Sequence, residues 1–200
     1  MTLDPDAIPF AKHPLTADFW DDAHRRGSSN LLGDTTAEDY RRLFNQIGPW
    51  DADVTDARAV LEVGPGKARW LTWLRGRRDL TRWALDISPD SRARLNSMGI
   101  NARAAGDLPP STDESVDLAV ALSVFQHCDD ATVEKLLSEV RGSLRPRGGS
   151  LYCNGVSVLP GYQLVPGCIT IHRPLDAMIR MALREGFSVT GVLEQVPVGQ

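Results

Sequence analysis

VLEVGPGKARW, residues 60–70, carries the change of pattern on which the fold turns. Ala59 to Val63 is an apolar run broken only by Glu62, and it stops at Gly64-Pro65-Gly66. Such a short run, closed by glycines, reads as a buried strand. Lys67 to Arg75 then reads as a helix. An acid therefore stands just before the turn that joins a strand to a helix.

Outward from this stretch, the same alternation repeats to residue 154. Trp83 to Ile87 is a second strand, ended by Ser88-Pro89. Serine can cap a helix there and proline can take its first position. That helix runs to Met98, and Gly99 supplies the stop. Ile100 to Ala104 is a weaker third strand, and Val116 to Leu122 is a strong fourth. Asp130 opens a helix with Val133, Leu136, Leu137, Val140 and Leu144 on one face. Pro146 and Gly148-Gly149 close it, and Ser150 to Asn154 is a fifth strand. Strands alternating with helices predict an α/β, doubly wound, mostly parallel sheet with helices on both faces.

Residues 1–50 differ in character, being rich in Asp, His, Arg and Trp. A capping box at Thr35-Thr36-Ala37-Glu38 starts a helix through Phe44 and Ile47. This segment is read as an N-terminal helical cap or lid, with the main domain at 51–200. The 200 residues, 42% of them hydrophobic, fit one core. A net charge of −4 with mixed signs argues against a nucleic-acid surface. Arg75-Gly76-Arg77-Arg78 reads as a solvated helix end. The three cysteines form no CxxC pair, so neither a disulfide framework nor a metal site is expected. No apolar run reaches membrane-spanning length and the N-terminus is acidic, which predicts a cytoplasmic protein with no membrane partner.

Ligands of open α/β sheets sit outside the carboxyl ends of the strands. A dinucleotide loop would want a third glycine at position 69, which is Arg69. The phosphate loop GxxxxGK[S/T] is absent. What remains is an acid, two glycines, and a second acid, Asp86, about twenty residues on at the end of the next strand. A carboxylate there can accept both hydroxyls of a ribose. A nucleoside without phosphates fits this pattern.

At this point the chain resembles the class I S-adenosylmethionine-dependent methyltransferases, over about residues 58 to 195. VLEVGPGKARWL resembles their first motif and LDISPDSRARL their second. VFQHCDDATVEKLLSEVRGSLRPRGGSLY is similar to their fourth-to-fifth-strand segment. IHRPLDAMIRMALREGFSVTGVLEQVP resembles the C-terminal segment of small-molecule members, in which GF starts a sixth strand. The resemblance implies a Rossmann-like sheet of seven strands, or six if truncated. It also implies S-adenosyl-L-methionine as cofactor and a small-molecule acceptor, in a monomer or homodimer.

Residue by residue, it implies that Gly64, Pro65 and Gly66 lie against the methionine moiety and that Glu62 faces its amino group. Asp86 would hold the ribose, with Ile87 against the adenine. Ser123 and Phe125 would line the pocket after the fourth strand. Three departures stand out. Ala68 replaces the third glycine of the first motif, and Pro146-Arg147-Gly148-Gly149 is one residue longer than usual. Ala104 occupies the place of the usual adenine-contacting acid, which leaves Asp107 and Leu108 as candidates. Arg25 and Arg26 in FWDDAHRRG resemble a segment that meets the cofactor carboxylate.

In-line methyl transfer mainly needs an aligned nucleophile, and a general base when the acceptor is a hydroxyl or protonated amine. His127 and His172 are the candidate bases. Trp20, Trp50, Tyr162 and His172 are candidates to wall the acceptor. Two rival readings are a protein of this fold that binds the cofactor without methyl transfer or catalyses a cyclisation, and a nicotinamide oxidoreductase, which Arg69 disfavours.

Overall fold

The computed structural model describes residues 16–25, 36–108, 115–146, 148–154, 161–165 and 168–192. Strands β1 (Ala59–Val63), β2 (Thr81–Leu85), β3 (Asn101–Arg103), β4 (Leu118–Ala121) and β5 (Ser150–Cys153) form one sheet in the order β3-β2-β1-β4-β5. All four pairings are parallel. The order reverses at β1, so β1 and β4 flank the switch point where such sheets bind ligands.

Two layers of helices cover the sheet. Along β1, Val60 faces one apolar cluster and Leu61 and Val63 face the other, as the period of two requires. The first cluster takes Phe44 from α2 (Ala37–Phe44), Trp50 and Val54 from α3 (Trp50–Asp56), Trp70 and Leu71 from α4 (Arg69–Trp73), and Leu95 from α5 (Pro89–Ser97). The second takes Val133, Leu137 and Val140 from α6 (Asp130–Ser143) and Met181 from α7 (Leu175–Arg184).

The local signals act as read for α5 and α6. Ser88 accepts a hydrogen bond from the Ser91 amide and Pro89 opens α5; Asp129 accepts from the Thr132 amide ahead of α6. The cap of α2 is shifted from the sequence reading. Thr36 is the cap residue, and its reciprocal partner is Asp39 rather than an acid one position earlier. Asp39 accepts from the Thr36 hydroxyl at 2.7 Å and from the Thr36 amide at 2.9 Å, and these two contacts, the hydroxyl first, lower its pKa.

Two expectations need correction, the strand count and the place of Trp50. The sheet has five strands among the described residues, not six or seven. Residues 187–192 form no strand, and Phe187 packs instead against the second cluster. A separate antiparallel hairpin, β6 (Gly161–Val165) and β7 (Cys168–His172), precedes α7. Within residues 37–50, Phe44 and Trp50 are fully buried against the sheet. Trp50 therefore belongs to the core and not to an acceptor pocket. No described helix is long and apolar enough to cross a membrane.

Trp50 meets Phe44 at 4.9 Å, Tyr152 at 4.9 Å and Trp70 at 5.7 Å between ring centroids. Its indole N–H is buried without a hydrogen-bond partner. Trp50→Ala is expected to cost about 3–5 kcal/mol in urea unfolding. Trp50→Phe is expected to cost clearly less, because it keeps the ring contacts and removes the unsatisfied donor.

Candidate functional site

The turn after β1 is built from three left-handed residues in alternation: Gly64 (φ 57°), Gly66 (φ 51°) and Ala68 (φ 53°). Glycine adopts this conformation without strain, while Ala68 carries a methyl group against it. Ala68 is fully buried and stands directly before α4, so the small side chain serves the close approach of helix to sheet. The Gly66 carbonyl accepts from Arg94 of α5 at 2.5 Å.

The reason for glycine at 64 lies inside the protein. A Cβ built there would stand 2.7 Å from Cγ2 of Val124, in the segment after β4. The constraint is the packing of the β1 turn against the β4 turn.

Glu62 is 3% exposed on the face of β1 that meets α4. The Leu71 amide, in the first turn of α4, hydrogen-bonds to it, and Oε2 is buried with no partner among the described residues. Burial pushes its carboxyl pKa up to about 8, against the lowering effect of the Leu71 amide, and nearby Asp86 adds to the rise. A cationic or hydrogen-bonding group reaching Oε2 would satisfy it.

Asp86 is 7% exposed at the end of β2. Its Oδ1 accepts from the Ser88 amide at 2.9 Å and its Oδ2 from the Ser91 hydroxyl at 2.8 Å. These two contacts fix the plane of the carboxylate. Ile87 beside it is 54% exposed. Asp107 is exposed, and its amide donates to the Ala104 carbonyl at 3.1 Å. The loop carrying it is tied to α6 by the Gly106 amide, which donates to Glu139 at 2.7 Å. Leu108 is half-buried against the second cluster.

After β4, Ser123 takes a left-handed conformation with φ 58°. Asn154 at the end of β5 holds it, accepting from its amide at 2.6 Å. A non-glycine residue in this region costs on the order of 1–3 kcal/mol and marks a spot the surroundings over-determine. Phe125 is 1% exposed in the second cluster, so its ring is a core residue and not a pocket wall as the sequence suggested. His127 closes the single 3-10 turn Phe125–His127.

Two residues that sequence reasoning passed over organise this edge. Asp21, on α1 (Ala17–Arg25), is buried and accepts a hydrogen bond from the Ser88 hydroxyl. Its neighbour Trp20 meets the His127 ring edge-on at 5.7 Å. Helix α1 thus touches both the β2 end and the β4 end of the sheet. Arg25 is exposed and donates to the Asp21 carbonyl. The second missed residue is Arg173, buried between β7 and α7 and bonded to the segment after β4. Arg26 and the side chains of Tyr162 and His172 lie outside the described residues. The backbones of Tyr162 and His172 are on β6 and β7, and β7 lies against the 125–127 turn.

With this geometry in view, comparison with known proteins is informative. The family described as "Methyltransferase domain" matches residues 61–153. No protein of curated function matches the sequence significantly. The fold is similar to 1,6-didemethyltoxoflavin-N1-methyltransferase from Burkholderia thailandensis, solved with 1,6-didemethyltoxoflavin and S-adenosylhomocysteine. The two are 13% identical over 92% of this chain and 82% of that one, with a TM-score of 0.66. It is also similar to the glycopeptide N-methyltransferase MtfA complexed with S-adenosyl-L-methionine, at 16% identity over 78% of each chain and a TM-score of 0.53. An S-adenosylmethionine-dependent methyltransferase from Mesorhizobium loti aligns at 20% identity over 70% of this chain and 80% of that one, with a TM-score of 0.50. Residues 61–153 are thus similar to a methyltransferase domain, and the fold is that of the solved class I S-adenosylmethionine-dependent methyltransferases. The cofactor of this class is S-adenosyl-L-methionine, and the orphaned oxygen of Glu62 and the oriented carboxylate of Asp86 fit its amino group and its ribose.

Two measurements check the site's construction. Gly64→Val is expected to destabilise the fold by about 2–4 kcal/mol, combining left-handed strain with overpacking. Val124→Ala in the same chain should recover the packing part and leave the conformational part. The second measurement concerns pH. The Glu62 carboxyl, with a pKa of about 8, keeps its proton in the folded state while an unfolded glutamate loses it near 4.5. Stability from this group is complete below the unfolded value and is lost as pH rises toward the folded one. Urea midpoints should therefore fall between about pH 5 and about pH 8 in the ligand-free protein, and Glu62→Gln should flatten that decline.

Proposed function

We propose that this methyltransferase acts on a small, flat acceptor held between α1 and the turn after β4. The observation that carries the reading is the span of α1. Asp21 fastens it beside Asp86, and Trp20 meets His127 at the other end of the same edge. A helix so placed would cover part of the sheet's carboxyl edge, an arrangement that suits a small molecule better than a macromolecule. The relative that binds 1,6-didemethyltoxoflavin supports a compact heteroaromatic acceptor as the class to test first.

The cofactor supplies an electrophilic methyl group on a sulfonium, so little covalent chemistry falls to the protein. Glu62 would receive the amino group and Asp86 the ribose hydroxyls. Ile87 would cover one adenine face, with Asp107 or Leu108 at its edge. Gly64, Pro65, Gly66 and Ser123 would shape the floor with backbone alone. The acceptor's attacking atom must then sit in line with the methyl, which is the task of Trp20 and of the hairpin bearing Tyr162 and His172. His127 stands at the acceptor side and would take the proton of an ionisable acceptor, and His172 is the second candidate for that role. Residues 1–50 contribute α1 as the lid of this edge, over a catalytic domain at 51–200.

Incubation with S-adenosylmethionine and a panel of small phenols, amines and N-heterocycles is expected to give S-adenosylhomocysteine in equal amount to methylated product. Tight cofactor binding with no product from any class would favour the rival in which the fold binds without transfer. Asp86→Ala is expected to weaken S-adenosylhomocysteine binding by about 1.5–3 kcal/mol in calorimetry, the scale of hydrogen bonds to a charged group. His127→Gln is expected to lower turnover by about 10²–10⁴ with cofactor affinity nearly intact. Full turnover in that variant would remove His127 as the base and leave alignment alone as the mechanism.

A further inference from the structure

Arginine is rarely buried, yet Arg173 is 6% exposed at the junction of β7 and α7. Its guanidinium donors go to three acceptors on one distant segment. Nη1 donates to the Phe125 carbonyl at 2.7 Å, Nη2 to the Cys128 carbonyl at 2.5 Å, and Nε to Asp130 Oδ1 at 2.7 Å. These acceptors enclose Gln126 and His127. Pro174 follows Arg173 directly and biases its backbone to an extended conformation, which limits how far the guanidinium can wander.

The fork geometry of arginine suits this task. A rigid planar group with five N–H donors can hold several acceptors in one arrangement, which a lysine ammonium cannot reproduce. The held segment already has its own anchors. The Phe125 ring is buried, the His127 amide donates to the Val124 carbonyl at 2.8 Å, and Asp129 caps α6. Those anchors secure the ends of the segment. The clamp adds control over the turn between them, and so over the direction of the His127 ring that meets Trp20.

We infer that Arg173 is a positioning residue of the acceptor site, acting through the 125–130 segment to hold the His127 imidazole against Trp20. The inference rests on the proposal that His127 faces the acceptor, but its test does not use methyl transfer. The second link of the clamp is the hairpin. Because β7 runs into Arg173, the strand carrying His172 and the turn carrying His127 are fixed to each other by one side chain.

The test compares the wild type with Arg173→Lys and Arg173→Gln by NMR of histidine ring protons. His127→Gln assigns the His127 signal, and alkaline buffer keeps the imidazole neutral in all samples. The His127 signal is expected to carry a ring-current displacement from Trp20 in the wild type, verified by its loss in Trp20→Leu. Both Arg173 variants should move it toward the position of a free imidazole. Affinity for S-adenosylhomocysteine should stay within about threefold, since the β1 and β2 ends are untouched. If Arg173→Gln does not fold, Arg173→Lys alone decides, because it keeps the buried charge while losing the fork. A folded Arg173→Lys with an unmoved His127 signal would overturn the inference and leave Arg173 as packing. If His127 moves but a methyl-transfer assay finds it dispensable, the clamp stands and only the role of His127 falls.

Discussion

A carboxyl group buried at the end of the central strand, with one oxygen unpartnered, is the constraint around which this fold is arranged. Leaving a buried polar atom unsatisfied costs on the order of 1–3 kcal/mol. Glu62 stays neutral to limit that cost, and burial raises its pKa to about 8. Everything nearby maintains the arrangement. The left-handed turn at Gly64, Gly66 and Ala68 brings the start of α4 over the strand, so that the Leu71 amide reaches the carboxyl. Val124 seals the turn from the β4 side, leaving no room for a Cβ at Gly64.

The second organising element is the way separate segments are tied across the sheet's carboxyl edge. Asp86 is oriented by Ser88 and Ser91, and Ser88 in turn donates to Asp21 of α1. One chain of hydrogen bonds thus connects the β2 end to the helix that crosses the edge. At the other end, Asn154 pins Ser123 and Arg173 clamps residues 125–130. In the proposed reading the β1 and β2 ends form the cofactor side, while α1, the post-β4 turn and the hairpin form the acceptor side.

That division explains what could be read from the chain. Strand β1, helix α6 and strand β5 were legible because apolar runs and capping residues act locally. Strand β2 begins at Thr81, two residues before the apolar run, because pairing of Thr81 and Arg82 with Ala59 and Val60 extends it into polar sequence. Helix α4 starts at Arg69 and not at Lys67, because left-handed Ala68 blocks an earlier start. Gly64, Gly66 and Asp86 stood out by their spacing, and Glu62 by its place in an apolar run. Asp21 and Arg173 did not. Their partners lie 67 residues away for Asp21, and 43 to 48 residues away for Arg173. No local period records such a contact. The resemblance implied a pocket role for Phe125, whose ring lies instead in the second cluster.

Counting the protons exchanged when S-adenosylmethionine binds tests the role of Glu62 most directly. A neutral buried carboxyl that meets an ammonium group gives up its proton, so binding and ionisation are linked. Calorimetry at about pH 6.5, repeated in buffers of different ionisation enthalpy, gives the number released. The account predicts close to one proton for the wild type and close to none for Glu62→Gln, with weaker binding in the variant. Binding without proton release in the wild type, or equal release from both proteins, would contradict it.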